Sequence, residues 1–329
     1  MLDISVVIPT CNRRERLLAR LQELGQSTHP VREVLVVDAS DRKLAAADLA
    51  AFSSPPVRYI EAEKSVCVQR NLGIRASASP WIFLCDDDIE VPADHLARLA
   101  AHVAAHPEAG AVSGLVLEDH GAGWTGQHPE TSSLVVAWKH LFQLGMWGAI
   151  RADGRSARWI AEGYRRRGNH ISRAGWPVIT EMEGAFFRTP IYSLGASLVR
   201  RDWLLASPFD EALGSHGIGD NYGVAIGFPA TGIHVVTGAP IRHQRAQENR
   251  LPEGQVQERR LLALDYFIRG RRELAGVSRP WFLWSLLGAA VMHGLAGNAP
   301  VARSFWRALV RSAAGDNPYL RADATRNRL

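Results

Sequence analysis

Three consecutive aspartates, Asp86–Asp88, follow an apolar run from Trp81 to Leu84, with only Cys85 between them. A buried strand that ends in adjacent carboxylates is costly, because like charges repel each other and each carboxylate favours water. A divalent cation removes this cost, and carboxylate oxygens are the ligands that Mg²⁺ and Mn²⁺ prefer. Such ions usually also hold substrate phosphates, so the segment indicates a metal–diphosphate site. The alternative is a solvated acidic turn in which Asp88 caps the following helix.

Polar residues follow two further predicted strands. Thr10 comes after Ile4–Pro9, and Asp38 comes after Glu33–Val37. The carboxyl ends of parallel strands meet at one edge of an open α/β sheet, where ligands usually bind. We therefore expect these side chains and the three aspartates to line one crevice. Taken alone, Asp38 is equally typical of a turn residue.

Arg70 lies in a predicted helix, Val66–Ala76. An arginine near the crevice has the geometry to contact a nucleotide base or a diphosphate. The alternative is a structural arginine on the helix surface. The order of these polar residues along the chain is more informative than any one of them.

Strands alternate with helices over the first 117 residues, a pattern typical of a doubly wound, mostly parallel sheet in an α/β protein. After Glu118 the regularity weakens, and Ala152–Arg173 reads as basic and irregular. Later segments indicate a strand at Tyr192–Arg200, a strand from Ile233 towards His243 and a helix at Gln255–Glu273.

The composition fits a globular protein with a sizeable core, since 47% of the 329 residues are hydrophobic. The 38 basic and 33 acidic residues leave a net charge of +5, and the basic excess gathers in residues 151–173, 259–279 and 303–328. Basic clusters can meet nucleic acid, anionic lipid or phosphorylated substrates. No aromatic platform or known nucleic-acid motif accompanies them, so we expect no nucleic-acid partner.

Cysteine usage and the N-terminus both indicate a cytoplasmic protein. Cys11, Cys67 and Cys85 are too few and too scattered for a disulfide framework or a zinc site. The first ten residues, MLDISVVIPT, lack the basic and long apolar regions of a signal peptide.

Four segments in order, SVVIPTCNR, VLVVDASD, VQRNLGIRAS and WIFLCDDDIEVP, resemble the nucleotide-sugar half of family 2 glycosyltransferases. These are inverting enzymes with the GT-A fold of nucleotide-diphospho-sugar transferases. The resemblance covers residues 3–117 well and residues 190–243 more thinly. It implies a set of donor nucleotide contacts: Pro9, Thr10, Asp38, Arg70, Asp86 and Asp87. Within the DXD motif it implies that Asp86 and Asp88 serve the ribose and the metal, with Asp87 sharing either role.

The second half of the chain carries a weaker resemblance to the acceptor side of the family. Asp220, after PFDEALGSHGIG, matches the catalytic base. Gly219 stands where the family often has glutamate, and a familiar downstream arginine is absent. A helix N-cap is the alternative role for Asp220, with Asp210 and Glu211 as further acids. His243 matches an additional metal ligand, beside Asp86 and Asp88, and a surface histidine is the alternative.

The resemblance implies an activity and its partners. A metal ion, Mg²⁺ or Mn²⁺, and a nucleotide-diphosphate sugar donor are expected, with Asp220 removing the proton of an acceptor hydroxyl in a single inverting displacement. The acceptor is a sugar or a lipid-linked sugar, in the synthesis of cell-surface polysaccharide or glycolipid. The alternative is a non-catalytic nucleotide-sugar-binding or scaffold protein of the same fold. A nucleotidyltransferase is disfavoured, because TCNRRER has neither a Gly-rich triphosphate loop nor a lysine.

We expect a GT-A domain in residues 1–250, with a nucleotide-sugar-binding half (1–117) and an acceptor half (118–250). A helical C-terminal extension is expected in residues 251–329. Its apolar run from Trp281 to Ala296 falls short of the roughly 20 residues of a spanning helix.

Residues 280–311 combine this run with Arg303, Arg307 and Arg311 at four-residue spacing. Tryptophan flanked by arginine suits a helix in the lipid interface, here on the inner face of the cell membrane. A helical hairpin packed on the core, or a dimer contact, is the alternative.

Overall fold

The computed structural model describes residues 1–52, 54–119, 121, 123–229, 232–244 and 251–326, with only the backbone described at 46 and 323–326. The chain forms two compact units, each made of two stretches of sequence. The first unit comprises Met1–Gly126 and Glu183–Arg250, and the second comprises Gln127–Met182 and Leu251–Leu329.

The expected boundary at residue 250 coincides with a change of unit, but residues 127–182, expected in the first domain, fall in the second unit. Residues 127–182 belong with the C-terminal helices, because Trp138 donates a hydrogen bond to the carbonyl of Gly288 (3.0 Å) and Trp176 donates one to the hydroxyl of Ser285 (2.8 Å). The assignment of a donor half and an acceptor half stays a prediction.

The first unit is built on one large, mostly parallel sheet. Numbered in chain order over both units, its strands are β1 (Ile4–Thr10), β2 (Glu33–Asp38), β3 (Val57–Glu61), β4 (Trp81–Cys85), β5 (Ile89–Glu90), β6 (Ala111–Asp119), β7 (Trp124–Thr125), β11 (Phe186–Thr189), β12 (Ala196–Arg200) and β13 (Ile233–His243). The main order is β11-β13-β6-β12-β4-β1-β2-β3. β1 runs parallel to β2 and β4, and β13 runs parallel to β6. β12 is antiparallel to both of its neighbours, β4 and β6.

The helices of the first unit are α1 (Arg14–Gly25), α2 (Ala46–Leu49), α3 (Val66–Ala76), α4 (His95–Ala105), α7 (Arg201–Ala206) and α8 (Asp220–Ala225), with a 3₁₀ turn at Glu211–Leu213. Leu17, Leu21 and Leu24 of α1 repeat at helical spacing, so they form one apolar stripe. They are buried in the same core cluster as the inward residues of β1 and β2. The predicted α/β class is confirmed.

The second unit is mainly helical. Its elements are α5 (Ser133–Leu141), β8 (Met146–Trp147), α6 (Arg155–Arg167), β9 (His170–Ile171), β10 (Pro177–Ile179), α9 (Glu253–Gly270), α10 (Arg279–Leu295), α11 (Ala299–Ala314) and α12 (Pro318–Arg326), with a 3₁₀ turn at Arg272–Leu274. The three short strands form a separate sheet in the order β8-β10-β9.

The prediction that residues 152–173 are irregular is wrong, because they contain the 13-residue helix α6. Ala157, Ile160 and Tyr164 are buried and recur at the spacing of one helix face. The many arginines between them obscured this short apolar pattern in the sequence.

The predicted helical C-terminal region is confirmed. α10 and α11 pack against each other and against α9. Phe282 and Leu286 of α10 and Phe305 of α11 are buried there. None of the helices in the described ranges is long and apolar enough to cross a membrane.

Candidate functional site

The expected side chains meet at the carboxyl edge of the central strands. Thr10 ends β1 and lies in register with Asp38, which ends β2, while Asp86 follows the last residue of β4. The Thr10 hydroxyl donates a hydrogen bond to Asp87 Oδ2 at 2.8 Å. Pro9, one residue earlier in β1, is buried in the same strand. The parallel order of the sheet thus brings together residues that are far apart in sequence.

Asp38 is fully oriented by its neighbours. Tyr59 donates its hydroxyl to Oδ2 at 2.6 Å, and the backbone N–H of Ser40 donates to Oδ1 at 2.7 Å. Asp38 is almost fully buried, with 1% of its surface exposed. Burial and the hydrogen bond to Asp38 raise the pKa of Tyr59, so its hydroxyl remains a donor at neutral pH.

Each aspartate of the triple contacts a basic side chain. Arg70 binds Asp86, Arg13 binds Asp87 at 2.6 Å, and His243 Nε2 lies 3.3 Å from Asp88 Oδ1. The repulsion between the carboxylates is therefore offset by cationic groups of the protein itself. Acidic clustering alone does not require a bound cation here, contrary to the argument from the sequence.

The three aspartates differ in accessibility. The side chain of Asp86 is 29% exposed, whereas those of Asp87 and Asp88 are almost fully buried. Burial raises the pKa of Asp87 to about 6, although Arg13 and Thr10 stabilise its charged form. Asp86 is thus the member of the triple that is open to a ligand.

His243 connects the end of β13 to two acids. Its Nδ1 atom lies 2.9 Å from Glu118 Oε1, and its Nε2 atom faces Asp88. Burial lowers the pKa of His243, but hydrogen bonds to Asp88 and Glu118 outweigh it and raise the pKa to about 9.

The donor set fits a divalent cation only in part. Ligands about 2.1 Å from one octahedral ion lie roughly 3 Å apart, close to the separation of Asp88 Oδ1 and His243 Nε2. Asp86, the third expected ligand, is bound by Arg70. Across the described residues, no group of three or more His, Cys, Asp or Glu side chains is arranged to hold a metal ion.

Arg70 links the aspartate triple to the expected catalytic base. Its guanidinium donates to Asp86 Oδ1 and to Asp220 Oδ2, and it lies 5.0 Å from the ring centroid of Phe209. Burial lowers the pKa of Arg70, but the two carboxylates outweigh it and raise the pKa. The predicted nucleotide contact is thus engaged with two carboxylates in this structure.

Asp220 is the first residue of α8 and follows Gly219, which has a left-handed backbone (φ +96°) and is the cap residue. Asp220 is therefore not the N-cap itself. Its Oδ1 atom accepts a hydrogen bond from the backbone N–H of Asn221 at 2.7 Å. Burial raises the pKa of Asp220, and the charge of Arg70 opposes the rise.

The two further acids organise the loop before α8. Asp210 Oδ1 accepts a hydrogen bond from the backbone of Ala212 at 3.0 Å, at the start of the 3₁₀ turn. Glu211 Oε1 accepts one from the side-chain amide of Asn71 at 3.0 Å.

Four residues of this site were not predicted from the sequence: Arg13, Tyr59, Glu118 and Gly195. A Cβ atom on Gly195 would collide with the carboxylate of Asp86, so any larger residue there would displace that carboxylate. The carbonyl of Gly195 also accepts a hydrogen bond from the backbone of Asp86 at 2.8 Å. Arg13 could have been proposed from the sequence, because it is a basic residue just after β1. Tyr59, Glu118 and Gly195 could not, because their partners are known only once the order of the strands is known.

Three solved structures share the fold across most of this chain. The mannosyltransferase PcManGT from Pyrobaculum calidifontis, in complex with GDP-Man and Mn²⁺, has a TM-score of 0.50 and 16% identity, and the match covers 99% of this chain and 89% of that chain. S. aureus TarS 1-349, in complex with UDP-GlcNAc, has a TM-score of 0.54 and 12% identity, with coverage of 99% and 92%. GalNAc-T7, with UDP, GalNAc and Mn²⁺, has a TM-score of 0.55 and 14% identity, with coverage of 92% and 58%. At these identities the likeness establishes the fold, and it confirms the predicted GT-A architecture.

The sequence comparisons agree with the fold. An uncharacterized glycosyltransferase of Haemophilus influenzae is 28% identical over 85 residues, which are 26% of this chain and only 29% of that relative. The family model described as glycosyl transferase family 2 matches residues 5–202, more than half of the chain. The match includes the strand ends that carry Thr10, Asp38 and Asp86–Asp88. The chain belongs to glycosyl transferase family 2.

Proposed function

We propose that the protein transfers a sugar from a nucleoside-diphosphate donor to an acceptor hydroxyl, with inversion and with Mg²⁺ or Mn²⁺. The proposal rests mainly on the cluster of polar residues at the carboxyl edge of the sheet, in a chain that belongs to family 2. There Thr10 contacts Asp87, and Arg70 joins Asp86 to Asp220. The complexes of relatives with GDP-Man, UDP-GlcNAc or UDP support a nucleoside-diphosphate donor.

The nucleotide end of the donor is assigned to the edge formed by β1, β2 and β4. Asp38 is held rigid by Tyr59 and Ser40, and an oriented carboxylate is a good acceptor for the N–H groups of a base. Pro9 and Thr10, at the end of the neighbouring strand β1, are assigned to the same nucleotide. Asp86 is the accessible aspartate and is assigned to the ribose hydroxyls, and Asp87, which accepts a hydrogen bond from Thr10, is assigned a share of the same role.

Asp88 and His243 are assigned to the cation, with Asp86 as the third ligand. Mg²⁺ commonly uses only one or two protein carboxylates, and water and substrate phosphates supply the remaining ligands. A bound cation supplies Lewis-acid stabilisation to the departing diphosphate. Glu118 would orient the ring of His243 through Nδ1, and His243 would give up its Nε2 proton to serve as a ligand.

Asp220 is assigned as the general base. Its carboxylate takes the proton of the acceptor hydroxyl while that oxygen forms a bond to the anomeric carbon. The bond from this carbon to the diphosphate breaks, its electron pair leaves with the nucleoside diphosphate, and the configuration inverts in one step. Arg70 holds Asp220 Oδ2, so it positions the base relative to Asp86.

A non-catalytic nucleotide-sugar-binding protein is the second candidate. Gly219 stands where the resemblance to the family implies a glutamate, and both oxygens of Asp220 already accept hydrogen bonds, from Arg70 and from Asn221. This candidate predicts nucleotide binding without consumption of any nucleotide sugar.

The test compares wild type with Asp220→Asn in two assays, nucleoside-diphosphate binding and release of nucleoside diphosphate from nucleotide sugars with Mn²⁺. Since loss of a general base typically costs 10²–10⁴-fold, we expect Asp220→Asn to bind normally and to lose about 100-fold or more in release. Asp202→Asn, which changes an exposed aspartate, is the matched control. Release by Asp220→Asn at the wild-type rate would remove the base assignment. Binding by wild type with no release would favour the second candidate.

The acceptor and the location complete the proposal. We assign the acceptor to sugars or lipid-linked sugars, in the synthesis of cell-surface polysaccharide or glycolipid. The protein is assigned to the cytoplasm, with peripheral contact of residues 280–311 to the inner face of the cell envelope membrane. The support is chemical, since Trp284 and Trp306 are exposed within this segment and Arg303 and Arg307 lie close to Trp306 in the sequence.

A further inference from the structure

The two compact units carry opposite net charges. The second unit, residues 127–182 and 251–329, has 20 Lys and Arg against 10 Asp and Glu, a net charge of +10. The first unit has 18 basic and 23 acidic residues, a net charge of −5. The modest overall charge therefore conceals a strongly basic unit, and such a unit is attracted to an anionic surface.

The same basic unit carries most of the exposed large apolar side chains in the described part of the chain. Only Met1, Trp124 and Leu205 belong to the first unit. The members in the second unit are Leu134, Leu141, Trp159, Trp284, Val291, Leu295, Trp306 and Val310. Exposed apolar groups gathered in one region mark an interaction surface more often than isolated ones do.

Six of these residues lie on α5, α6 and α10, and α5 contacts both of the other helices. Leu134 and Leu141 are seven residues apart on α5, and Trp284, Val291 and Leu295 recur at seven and four residues on α10, so each set lies on one helix face. The two faces join where Trp284 Nε1 donates to the carbonyl of Leu141 at 3.2 Å.

Trp159 extends this set onto α6. Its ring centroid lies 6.0 Å from that of His140, the residue before Leu141, and the Trp159 side chain is 72% exposed. Arg155 and Arg158 are exposed beside it on the same helix. We call the set Leu134, Leu141, Trp159, Trp284, Val291 and Leu295 the apolar row.

We propose that the apolar row and the arginines of α6 dock the protein on an anionic phospholipid bilayer. Exposed Trp and Leu enter the interface between headgroups and acyl chains, while arginines contact lipid phosphates. A second copy of the chain is a poorer occupant, because two units of charge +10 repel each other. The inference does not depend on the proposed catalysis, and it places the contact mainly on α5, α6 and α10 rather than on 280–311 alone.

The experiment is co-sedimentation of the full chain with vesicles of phosphatidylcholine alone, or with roughly 30% phosphatidylglycerol. We expect binding to the anionic vesicles only, weakened in about 0.5 M NaCl because salt screens the attraction. Arg155→Glu with Arg158→Glu should weaken binding at least tenfold, since each basic residue near such a surface contributes about fivefold. Leu134→Ser, Trp159→Ser and Leu295→Ser together should reduce the binding that remains in high salt.

Two matched controls belong to the first unit. Arg42→Glu with Arg75→Glu makes the same charge change at exposed sites, and Leu205→Ser removes an exposed leucine. Both should bind vesicles like wild type, and all variants should keep the wild-type melting temperature. Equal binding to neutral and anionic vesicles, no binding at all, or equal losses in the controls would overturn the proposal. Dimers in wild type that dissociate in the triple Ser variant would also overturn it, in favour of a second copy. Failure here would also remove the proposed membrane contact of residues 280–311, but nucleotide binding and sugar transfer are measured separately and would stand.

Discussion

Arg70 is the residue at which the two parts of the proposed site meet. One buried guanidinium binds both Asp86, proposed to contact the donor, and Asp220, proposed as the base. Removing one partner of a buried ion pair leaves an uncompensated charge, which is costly. The geometry of the expected base therefore depends on the same side chain that holds the accessible aspartate of the triple.

Space for Asp86 is set by a glycine. We expect Gly195→Ala to displace the Asp86 carboxylate, because the added methyl group would collide with it, and to weaken nucleotide binding about tenfold or more. Isothermal titration with the nucleoside diphosphate measures the change. Gly238→Ala is the control, since a Cβ atom there meets nothing within 4 Å. Wild-type affinity in Gly195→Ala would show that Asp86 does not contact the ligand.

At the scale of elements, the sequence predicts what is local and misses what is not. β1 was expected at 4–9 and spans Ile4–Thr10, and α3 was expected at its observed bounds. Continuous β-branched runs between polar turns suffice for such elements. Because parallel strand ends share an edge, the meeting of Thr10 and Asp38 was also predictable.

The partners across the sheet were not predictable in the same way. His243 meets Glu118 because β13 lies parallel to β6, and no local pattern specifies that pairing. Gly195 meets Asp86 because β12 enters antiparallel beside β4. The sequence argument for a metal ion is weaker for the same reason, since the basic side chains that offset the charge of the three aspartates come from distant segments of the chain.

The start of α4 provides a prediction about pH and stability. His95 is 1% exposed, and burial lowers its pKa to about 4. The unfolded chain, with a His pKa near 6.5, therefore binds the proton more tightly, and stability is lost as pH falls from about 6.5 towards 4. Between pH 7.5 and 5 this group should remove about 2 kcal/mol from the free energy of unfolding.

Urea denaturation over this pH range measures the effect of His95. His95→Gln, which does not titrate, should show a pH dependence smaller by that amount. His128→Gln, at an exposed histidine, should follow wild type. If the free energy of unfolding had the same pH dependence in wild type and in His95→Gln, protonation of His95 would not destabilise the folded state, which would contradict the prediction.

At the scale of the whole molecule, two discontinuous units replace the linear domains that the sequence suggested. The apolar side of α5 is completed by α10, where Phe142 stacks on Trp284 with ring centroids 4.5 Å apart. A domain that ends at residue 250 therefore leaves residues 127–182 without the C-terminal helices that complete their core.

Truncation tests this organisation. Deleting residues 251–329 should expose Trp138, Phe142 and Trp176, so the shortened chain should aggregate or bind a hydrophobic dye strongly. Size-exclusion chromatography and dye fluorescence measure both effects, with deletion of residues 327–329 as the control. A monomeric truncated chain with the wild-type melting temperature would support the linear division instead.

The central claim is a metal-dependent nucleoside-diphosphate site at the carboxyl edge of the sheet, and a thermal-shift panel tests it most directly. UDP, GDP, dTDP and CMP are each added with and without Mn²⁺ to wild type, Asp88→Ala and the control Asp202→Ala. A ligand at about 100 times its Kd stabilises the folded state by about 2.7 kcal/mol. We predict that one nucleoside diphosphate raises the melting temperature with Mn²⁺ in wild type and Asp202→Ala, but not in Asp88→Ala. No shift with any nucleotide, or an equal shift in Asp88→Ala, would contradict the account.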